Sequence, residues 1–134
     1  MKSFKYNGLD LVYTQADHLI SLTEVLLLDA CRADLLKKDD TVVDLGAGIG
    51  DFSVLASRKV GPNGKVIALE PQAEDYEMLK INVERNGCVN VIALNIGVAK
   101  PGEKEISFWG RKYSFMTDTL ENLLARKEIK KSIS

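Results

Sequence analysis

The stretch that decides the fold of this chain is Thr41-Val42-Val43-Asp44-Leu45-Gly46-Ala47-Gly48-Ile49-Gly50. Its first half, Thr41 to Leu45, is short and rich in β-branched residues, which predicts a buried strand. Three alternating glycines follow and lead into a helix that we predict from Asp51 to about Val60. Glycines suit a sharp turn and let a ligand approach the backbone closely, while a helix N-terminus attracts negative or polar groups. The stretch therefore predicts a ligand-binding turn.

Strands and helices alternate on the C-terminal side of this turn. Lys65 to Glu70 has the pattern of a second buried strand, and Val89 to Ile96 that of a third. The segment between them predicts a helix from Pro71 to about Asn86, which Gly87 ends. Such alternation is typical of a parallel sheet, and right-handed crossovers place the second strand beside the first and the third beyond it. The predicted fold class is α/β.

The two ends of the chain carry weaker signals. Asp17 is a predicted N-cap for a helix that runs to about Lys38, so residues 1 to about 38 are expected to form an N-terminal helical arm. Towards the C-terminus we predict a fourth strand from Lys104 to Phe108 and a helix that Asp118 caps. No internal repeat or linker interrupts the chain, which predicts a single domain over residues 1–134.

Composition narrows the function classes. The chain has 134 residues, 46% apolar and 28% charged, as expected of one globular domain. A net charge of −1 argues against general nucleic-acid binding, which needs an excess of cations. Cys31 and Cys88 lie far apart and His18 is the single histidine, so we expect no metal site within one chain. Without a secretory signal or a long apolar stretch, a cytoplasmic protein is expected.

The second strand ends in an acid that bears on the identity of the ligand. Glu70 follows the glycine turn by about twenty residues, where a carboxylate accepts the hydroxyls of a ribose. The dinucleotide fingerprint Gly-x-Gly-x-x-Gly is not met, because Asp51 replaces its last glycine and would repel a pyrophosphate. Asp44 suits a cationic amino group instead. These features favour S-adenosyl-L-methionine as the cofactor over NAD.

The same residues resemble a known family. Val42 to Gly50 is similar to motif I of the class I S-adenosylmethionine-dependent methyltransferases. The continuation Ala68-Leu69-Glu70-Pro71, with Asn86-Gly87 and the stretch Asn95 to Glu103, resembles the FkbM-type branch of that superfamily. The resemblance covers about residues 38–130 and implies a Rossmann-like methyltransferase fold. It also implies later strands beyond Ser134, so we expect a sheet truncated after its third core strand and the following helix.

The resemblance implies roles for most residues of the predicted cofactor site. The glycine turn would hold the methionine end through Asp44, Gly46, Gly48 and Gly50. Glu70 would hold the ribose hydroxyls, and Asn95 and Ile96 would border the adenine. The predicted cofactor-binding residues also include Ala47 and Pro71. For Asn95 a strand-end turn is an equal alternative.

The function implied is S-adenosylmethionine-dependent methyl transfer, with O-methylation of a small molecule or sugar as the expected reaction. The alternatives are a non-catalytic cofactor-binding module that acts through a partner, and an NAD-dependent oxidoreductase. His18, Asp51 and Asp118 are candidate general bases, but each has a structural interpretation and we assign no catalytic residue. Expected partners are a small-molecule acceptor, with no nucleic acid and no membrane. The exposed edge of Thr41 to Leu45 is expected either to pair with a second copy or to be covered by the N-terminal or C-terminal helix.

Overall fold

The computed structural model describes residues 1–108, 111–114 and 117–133. The strands are β1 (Lys2–Tyr6), β2 (Leu9–Tyr13), β3 (Thr41–Leu45), β4 (Lys65–Leu69), β5 (Val91–Leu94), β6 (Gly97–Val98), β7 (Glu105–Phe108), β8 (Arg111–Ser114) and β9 (Thr117–Asp118). The α-helices are α1 (Ala16–Leu22), α2 (Asp51–Val60), α3 (Ala73–Arg85), α4 (Leu120–Ala125) and α5 (Lys127–Ile133).

The core of the fold is a three-stranded parallel sheet in the order β3-β4-β5. Leu45 of β3 stands opposite Leu69 of β4, which stands opposite Leu94 of β5, so the three strands end at one edge. The α/β class and the strand order predicted from the sequence are therefore confirmed. The third strand is shorter than the predicted span from Val89 to Ile96.

Helices cover both faces of this sheet. Alternate residues of β4 point to opposite sides, and all of Val66 to Leu69 are at most 1% exposed. Val66 packs in a cluster with residues of α2, and Ala68 packs with residues of α3. On the other face Ile67 and Leu69 pack with residues of α4 and α5. The central strand is thus buried between two helical layers.

The N-terminal arm differs from the continuous helix that the sequence predicts. Its first part is the antiparallel hairpin β1–β2, which turns at Asn7 and Gly8. Helix α1 starts at Ala16 rather than after an Asp17 cap, and Gln15 stands at its N-cap position. One π-helical turn, Thr23–Leu27, then ends the helix. The chain continues irregularly because Asp29 and Arg32 both adopt left-handed backbone angles, which no helix accommodates.

The C-terminal elements follow the sequence prediction more closely. A strand is found at Glu105–Phe108, one residue shorter than expected. Helix α4 is capped by Thr119, whose side chain accepts a hydrogen bond from the backbone N–H of Asn122. Asp118, the predicted cap, instead accepts from the Thr119 N–H and from the Asn122 side chain.

The β3 edge of the parallel sheet is open. Among the described strands, β3 pairs with β4 alone, and its Val43 and Leu45 are 37% and 52% exposed. In the described part of the chain, no helix is both long enough and apolar enough to cross a membrane.

Candidate cofactor site

The glycine turn between β3 and α2 has the conformation that its sequence predicts. Gly46, Gly48 and Gly50 all have positive φ angles, of 75°, 54° and 87°. The backbone N–H groups of Gly46 and Ala47 both donate to the carbonyl of Leu69, at 2.9 and 3.0 Å, so the turn leans over the end of β4. A methyl group built on Gly46 or Gly48 would meet no atom within 4 Å. The turn therefore borders open space of the kind that a bound ligand needs.

Glu70 faces the mouth of this turn. One carboxylate oxygen accepts from the Gly48 N–H at 2.7 Å, and the other accepts from the Gln72 N–H at 2.8 Å. The residue is only 4% exposed, and this burial raises the pKa of its carboxyl, while the two backbone donors act in the opposite direction. Because burial makes the charged form costly, a ligand that brings hydroxyl donors to this carboxylate would stabilise it.

The ends of β4 and β5 form an apolar crevice beside the turn. It has a volume of about 220 Å³ and is lined by Leu45, Gly46, Leu69, Pro71, Ile96, Gly97 and Val98. Ile96 is 2% exposed. Asn95 uses its side-chain amide to donate to the carbonyls of Glu70 and Pro71, at 2.8 and 3.1 Å, so it links the two strand ends. Three predicted site residues thus line one crevice suited to a flat apolar ring, and Asn95 braces it.

Asp44 lies on the face of β3 that packs against α2. Its carboxylate accepts a hydrogen bond from the hydroxyl of Ser53 in the first turn of that helix. Burial raises the pKa of Asp44, the Ser53 bond opposes the shift, and the nearby charge of Asp51 adds to it. The charged form of the Asp44 carboxylate is therefore costly, and a cationic group placed nearby would stabilise it.

Asp51 is the first residue of α2 and is 4% exposed. It accepts from the Ser21 hydroxyl at 2.6 Å and from the Phe52 N–H at 2.9 Å, and burial raises its pKa. The contact with Ser21 joins α1 to the helix that starts at the glycine turn. Asp51 is thus a buried structural acid of this helix end.

The other candidate bases have partners as well. His18 is buried, with Nε2 at 3.1 Å from a carboxylate oxygen of Asp75 in α3. Asp118, two residues before α4, accepts from the side chains of Asn122 and of Arg126, the residue that follows α4, and it belongs neither to the glycine turn nor to the crevice. No general base is assigned from these contacts.

Sequence reasoning missed three side chains that support the site. They are Asn82, Ser53 and Ser21, which bind the Ile49 carbonyl, Asp44 and Asp51 respectively. Asn82 had a detectable signal, because it lies three and four residues from apolar positions on the buried face of α3. A polar residue on such a face requires a partner.

Another cavity, of about 250 Å³, lies between the hairpin, the π-helical turn and α2. It is lined by residues such as Leu9, Val25 and Leu55, and by none of the predicted site residues. The chemistry that the sequence indicates is therefore at the strand ends and not in this cavity.

Comparison with known families now bears on the identity of the chain. The model of the protein-L-isoaspartate(D-aspartate) O-methyltransferase family matches residues 5–106, which include the whole parallel sheet and the glycine turn. The chain belongs to this methyltransferase family. Membership, together with the fold described above, confirms the predicted class I methyltransferase fold. The finer FkbM-type assignment has no support in these comparisons.

Two curated relatives share part of the sequence. One is named a probable cobalt-precorrin-6B C(15)-methyltransferase (decarboxylating), from Saccharolobus solfataricus, 36% identical over 64 residues, which are 48% of this chain and 32% of the relative. The other is the 23S rRNA (uracil(1939)-C(5))-methyltransferase RlmD of Acinetobacter baumannii, 32% identical over 87 residues, 65% of this chain and 18% of the relative. The chain thus spans a third or less of the length of these proteins.

Solved structures have the same fold. Trm5 of Methanocaldococcus jannaschii in complex with adenosine is 25% identical, with a TM-score of 0.51, and the match covers 69% of this chain and 28% of that one. TYW2 of M. jannaschii in complex with AdoMet is 22% identical, also with a TM-score of 0.51, over 69% of this chain and 41% of that one. These two likenesses show the fold, and the family match confirms the predicted cofactor, S-adenosyl-L-methionine.

The predicted acceptor needs correction. We expected a small molecule and excluded nucleic acid because the net charge is −1. The rRNA methyltransferase among the relatives contradicts that exclusion. The physical reason is that binding to phosphates depends on cations within the contact surface, which the net charge of one chain does not describe.

Proposed function

We propose that this chain binds S-adenosyl-L-methionine at the glycine turn and that it is the cofactor-binding part of a methyltransferase. The observation that carries the proposal is the pairing of Glu70 with the Gly48 N–H at 2.7 Å, next to space that stays open above Gly46 and Gly48. A carboxylate and a bare backbone at adjoining strand ends are what an adenosyl ligand requires. Residues 1–134 would act as one unit in this role.

The residues take the following roles in the proposal. Glu70 accepts the ribose hydroxyls, and the crevice of Pro71 and Ile96 receives the adenine, with Asn95 bracing it. Asp44 attracts the cationic amino group, and Gly46 and Gly48, above which the space is open, present backbone to the methionine end. Ala47 and Gly50 are buried against α3 and shape the turn. The cofactor supplies an electrophilic methyl group on a sulfonium. The contribution of the protein is to hold and orient it.

A calorimetric titration with S-adenosylhomocysteine tests this proposal. We expect saturable binding to the wild-type chain, and an affinity about tenfold to hundredfold lower for Glu70→Gln, because hydrogen bonds to a charged acceptor are stronger than those to a neutral one. Glu84→Gln is the matched control, since Glu84 is exposed on α3 and should leave the affinity unchanged. Equal affinities for wild type and Glu70→Gln would contradict the assigned role of Glu70.

NAD serves as the competing ligand in the same titration. The buried charge of Asp51 at the start of α2 should disfavour a pyrophosphate at this helix end. We therefore expect no binding of NAD. Binding of NAD without binding of S-adenosylhomocysteine would replace the methyltransferase proposal with an oxidoreductase.

A cofactor-binding module without activity of its own is the second candidate. The contacts of the three candidate bases favour it, because His18, Asp51 and Asp118 are all held in hydrogen bonds within the chain. Transfer of a radiolabelled methyl group to an isoaspartyl peptide, to 23S rRNA or to a cell extract separates the two candidates. Labelling of any acceptor supports the enzyme, and its absence from a chain that binds the cofactor supports the module.

A further inference from the structure

Asn82 of α3 is a polar side chain with no exposure to solvent. Its amide nitrogen donates to the carbonyl of Ile49 at 2.8 Å and to the carbonyl of Val12 at 3.0 Å, and its amide oxygen accepts from the Val12 N–H at 2.7 Å. One side chain thus joins three distant parts of the chain: helix α3, strand β2 and the glycine turn.

Asn86, one helical turn further along the chain, pairs with the backbone of β2 in the same way, but it makes no hydrogen bond to the glycine turn. Its amide oxygen accepts from the Asp10 N–H at 2.9 Å, and its nitrogen donates to the Asp10 carbonyl at 3.0 Å and to the Asn82 carbonyl at 2.8 Å. Asp10 and Val12 are alternate residues of β2, so both turn their backbone groups to one edge. The two asparagines therefore act as a substitute strand along the edge of β2, but Asn82 alone reaches the glycine turn.

The Ile49 carbonyl lies between two glycines with positive φ angles, Gly48 and Gly50. The turn also touches α3 through Leu79, since a methyl group built on Gly50 would lie 2.5 Å from its Cδ1. A glycine turn has many accessible conformations, and fixing a single one requires contacts on its backbone. Asn82 supplies such a contact from α3.

We propose that Asn82 is a positioning residue for the cofactor, which fixes the glycine turn through the Ile49 carbonyl and so holds the Gly48 N–H and the neighbouring backbone in the binding conformation. This role rests on the proposed function of the turn. The two asparagines then have different roles. Asn86 binds only the hairpin, whereas Asn82 binds the hairpin and also fixes the conformation of the glycine turn.

The test is a matched pair of variants, Asn82→Ala and Asn86→Ala. Both remove an amide that serves β2, so both should lower the midpoint of thermal unfolding. Only Asn82→Ala should weaken the binding of S-adenosylhomocysteine, by about tenfold, the effect expected when one buried carbonyl loses its donor. Asn86→Ala should stay within about twofold of wild type. Calorimetry is done at a temperature where circular dichroism shows both variants folded.

A spectroscopic measurement follows the turn itself. In Asn82→Ala the carbonyl ¹³C resonance of Ile49 and the amide resonances of Gly48 and Gly50 should move in the free protein, and in Asn86→Ala they should not. If Asn82→Ala does not fold, a measurement on the wild-type chain tests the positioning role instead. On saturation with S-adenosylhomocysteine the side-chain amide resonances of Asn82 should shift, while those of Asn90, which is also buried but at the other end of the sheet, should not.

The outcomes are distinct. Wild-type binding together with an unchanged affinity in Asn82→Ala, or with side-chain resonances of Asn82 that do not respond to ligand, overturns the positioning role and leaves the proposed function standing. Equal losses of affinity in both variants also overturn it, because the hairpin and not the turn would then be the cause. A wild-type chain that does not bind S-adenosylhomocysteine overturns the proposed function and the positioning role together.

Discussion

The two ends of the parallel sheet have similar parts that serve different purposes. At the carboxyl ends of the strands, a glycine turn at residues 46–50 is braced by Asn82. At the opposite end, the turn from Gly61 to Gly64 is braced by Asn90, whose side-chain nitrogen donates to the Gly61 carbonyl at 2.8 Å and whose oxygen accepts from the Ser57 hydroxyl. Each turn is thus held by its own buried asparagine, which is distant from the turn in sequence.

The difference is the space around the glycines. A methyl group on Gly46 or Gly48 would meet nothing within 4 Å, whereas a methyl group on Gly64 would lie 2.4 Å from a Val60 side-chain carbon and 2.8 Å from its carbonyl oxygen. At the candidate cofactor site, the glycines leave space for a ligand. At the opposite end, glycine allows the protein to pack against itself. Substitutions at the two ends should therefore affect different properties.

The largest expected effect is on stability, at the packed end. Gly64→Ala forces the new methyl group into the backbone and side chain of Val60, and we expect the free energy of unfolding to fall by about 3 kcal/mol. Urea denaturation measures this loss. Cofactor affinity of the folded fraction should be unchanged, and a variant as stable as wild type would show that this end is not packed as described.

Removal of the brace at the same end should have the next largest effect. Asn90→Ala leaves the Gly61 carbonyl and the Ser57 hydroxyl without their buried partner, so we expect a loss of about 2 kcal/mol in the free energy of unfolding. The melting temperature and urea midpoint report it. If folded Asn90→Ala also bound the cofactor more weakly, the claim that this end of the sheet affects stability and not binding would be contradicted.

At the open end, the expected effect is on binding. Gly48→Ala has room for its methyl group in the free protein but places it where the ligand should lie, so S-adenosylhomocysteine should bind about tenfold more weakly. Its positive φ angle should also cost about 1 kcal/mol of stability. Gly87→Ala is the control, because Gly87 has a similar φ angle of 64° and open space as well. It should share the loss of stability and keep full affinity.

The smallest expected effect is a pH dependence that originates at the site. Burial raises the pKa of Asp51, and in the same direction those of Asp44 and Glu70. An acid whose pKa is higher in the folded than in the unfolded state binds protons more tightly when folded. The free energy of unfolding should therefore fall as pH rises from the ordinary carboxyl range near 4 through these raised values.

Denaturation of Asp51→Asn between pH 5 and pH 8 checks this sign. Its free energy of unfolding should depend less steeply on pH than that of wild type. Asp34→Asn is the control, since the Arg32 guanidinium holds the pKa of Asp34 down to about 2, below the window. An unchanged slope in Asp51→Asn would mean that this carboxyl is not costly in the folded state.

Much of the fold at the site could be predicted because its signals are local. The strand Thr41–Leu45, the glycines after it and the acid that follows β4 are each encoded within a few adjacent residues. The strand order then follows from the handedness of crossovers. The arm could not be predicted in the same way. The apolar residues from Leu19 to Leu36 satisfy a helical pattern, yet Asp29 and Arg32 break it with left-handed angles.

The partners of the bracing side chains could not be predicted, for a different reason. Asn82 bonds to residues 33 and 70 positions away, and Asn90 to residues 26 to 33 positions away. No local pattern encodes such partners, although the position of Asn82 on the buried face of α3 indicates that it needs one. The sequence shows where a glycine turn lies, but the tertiary structure shows what holds it.

The most direct test of the account is a titration of ¹⁵N-labelled protein with S-adenosylhomocysteine, followed by amide resonances at both ends of the sheet. We predict saturable shifts of Gly46, Gly48 and Glu70, with Gly61 and Gly64 unaffected. Shifts confined to Gly61 and Gly64, or no response of the turn at a concentration that saturates binding, would contradict the assignment of the site.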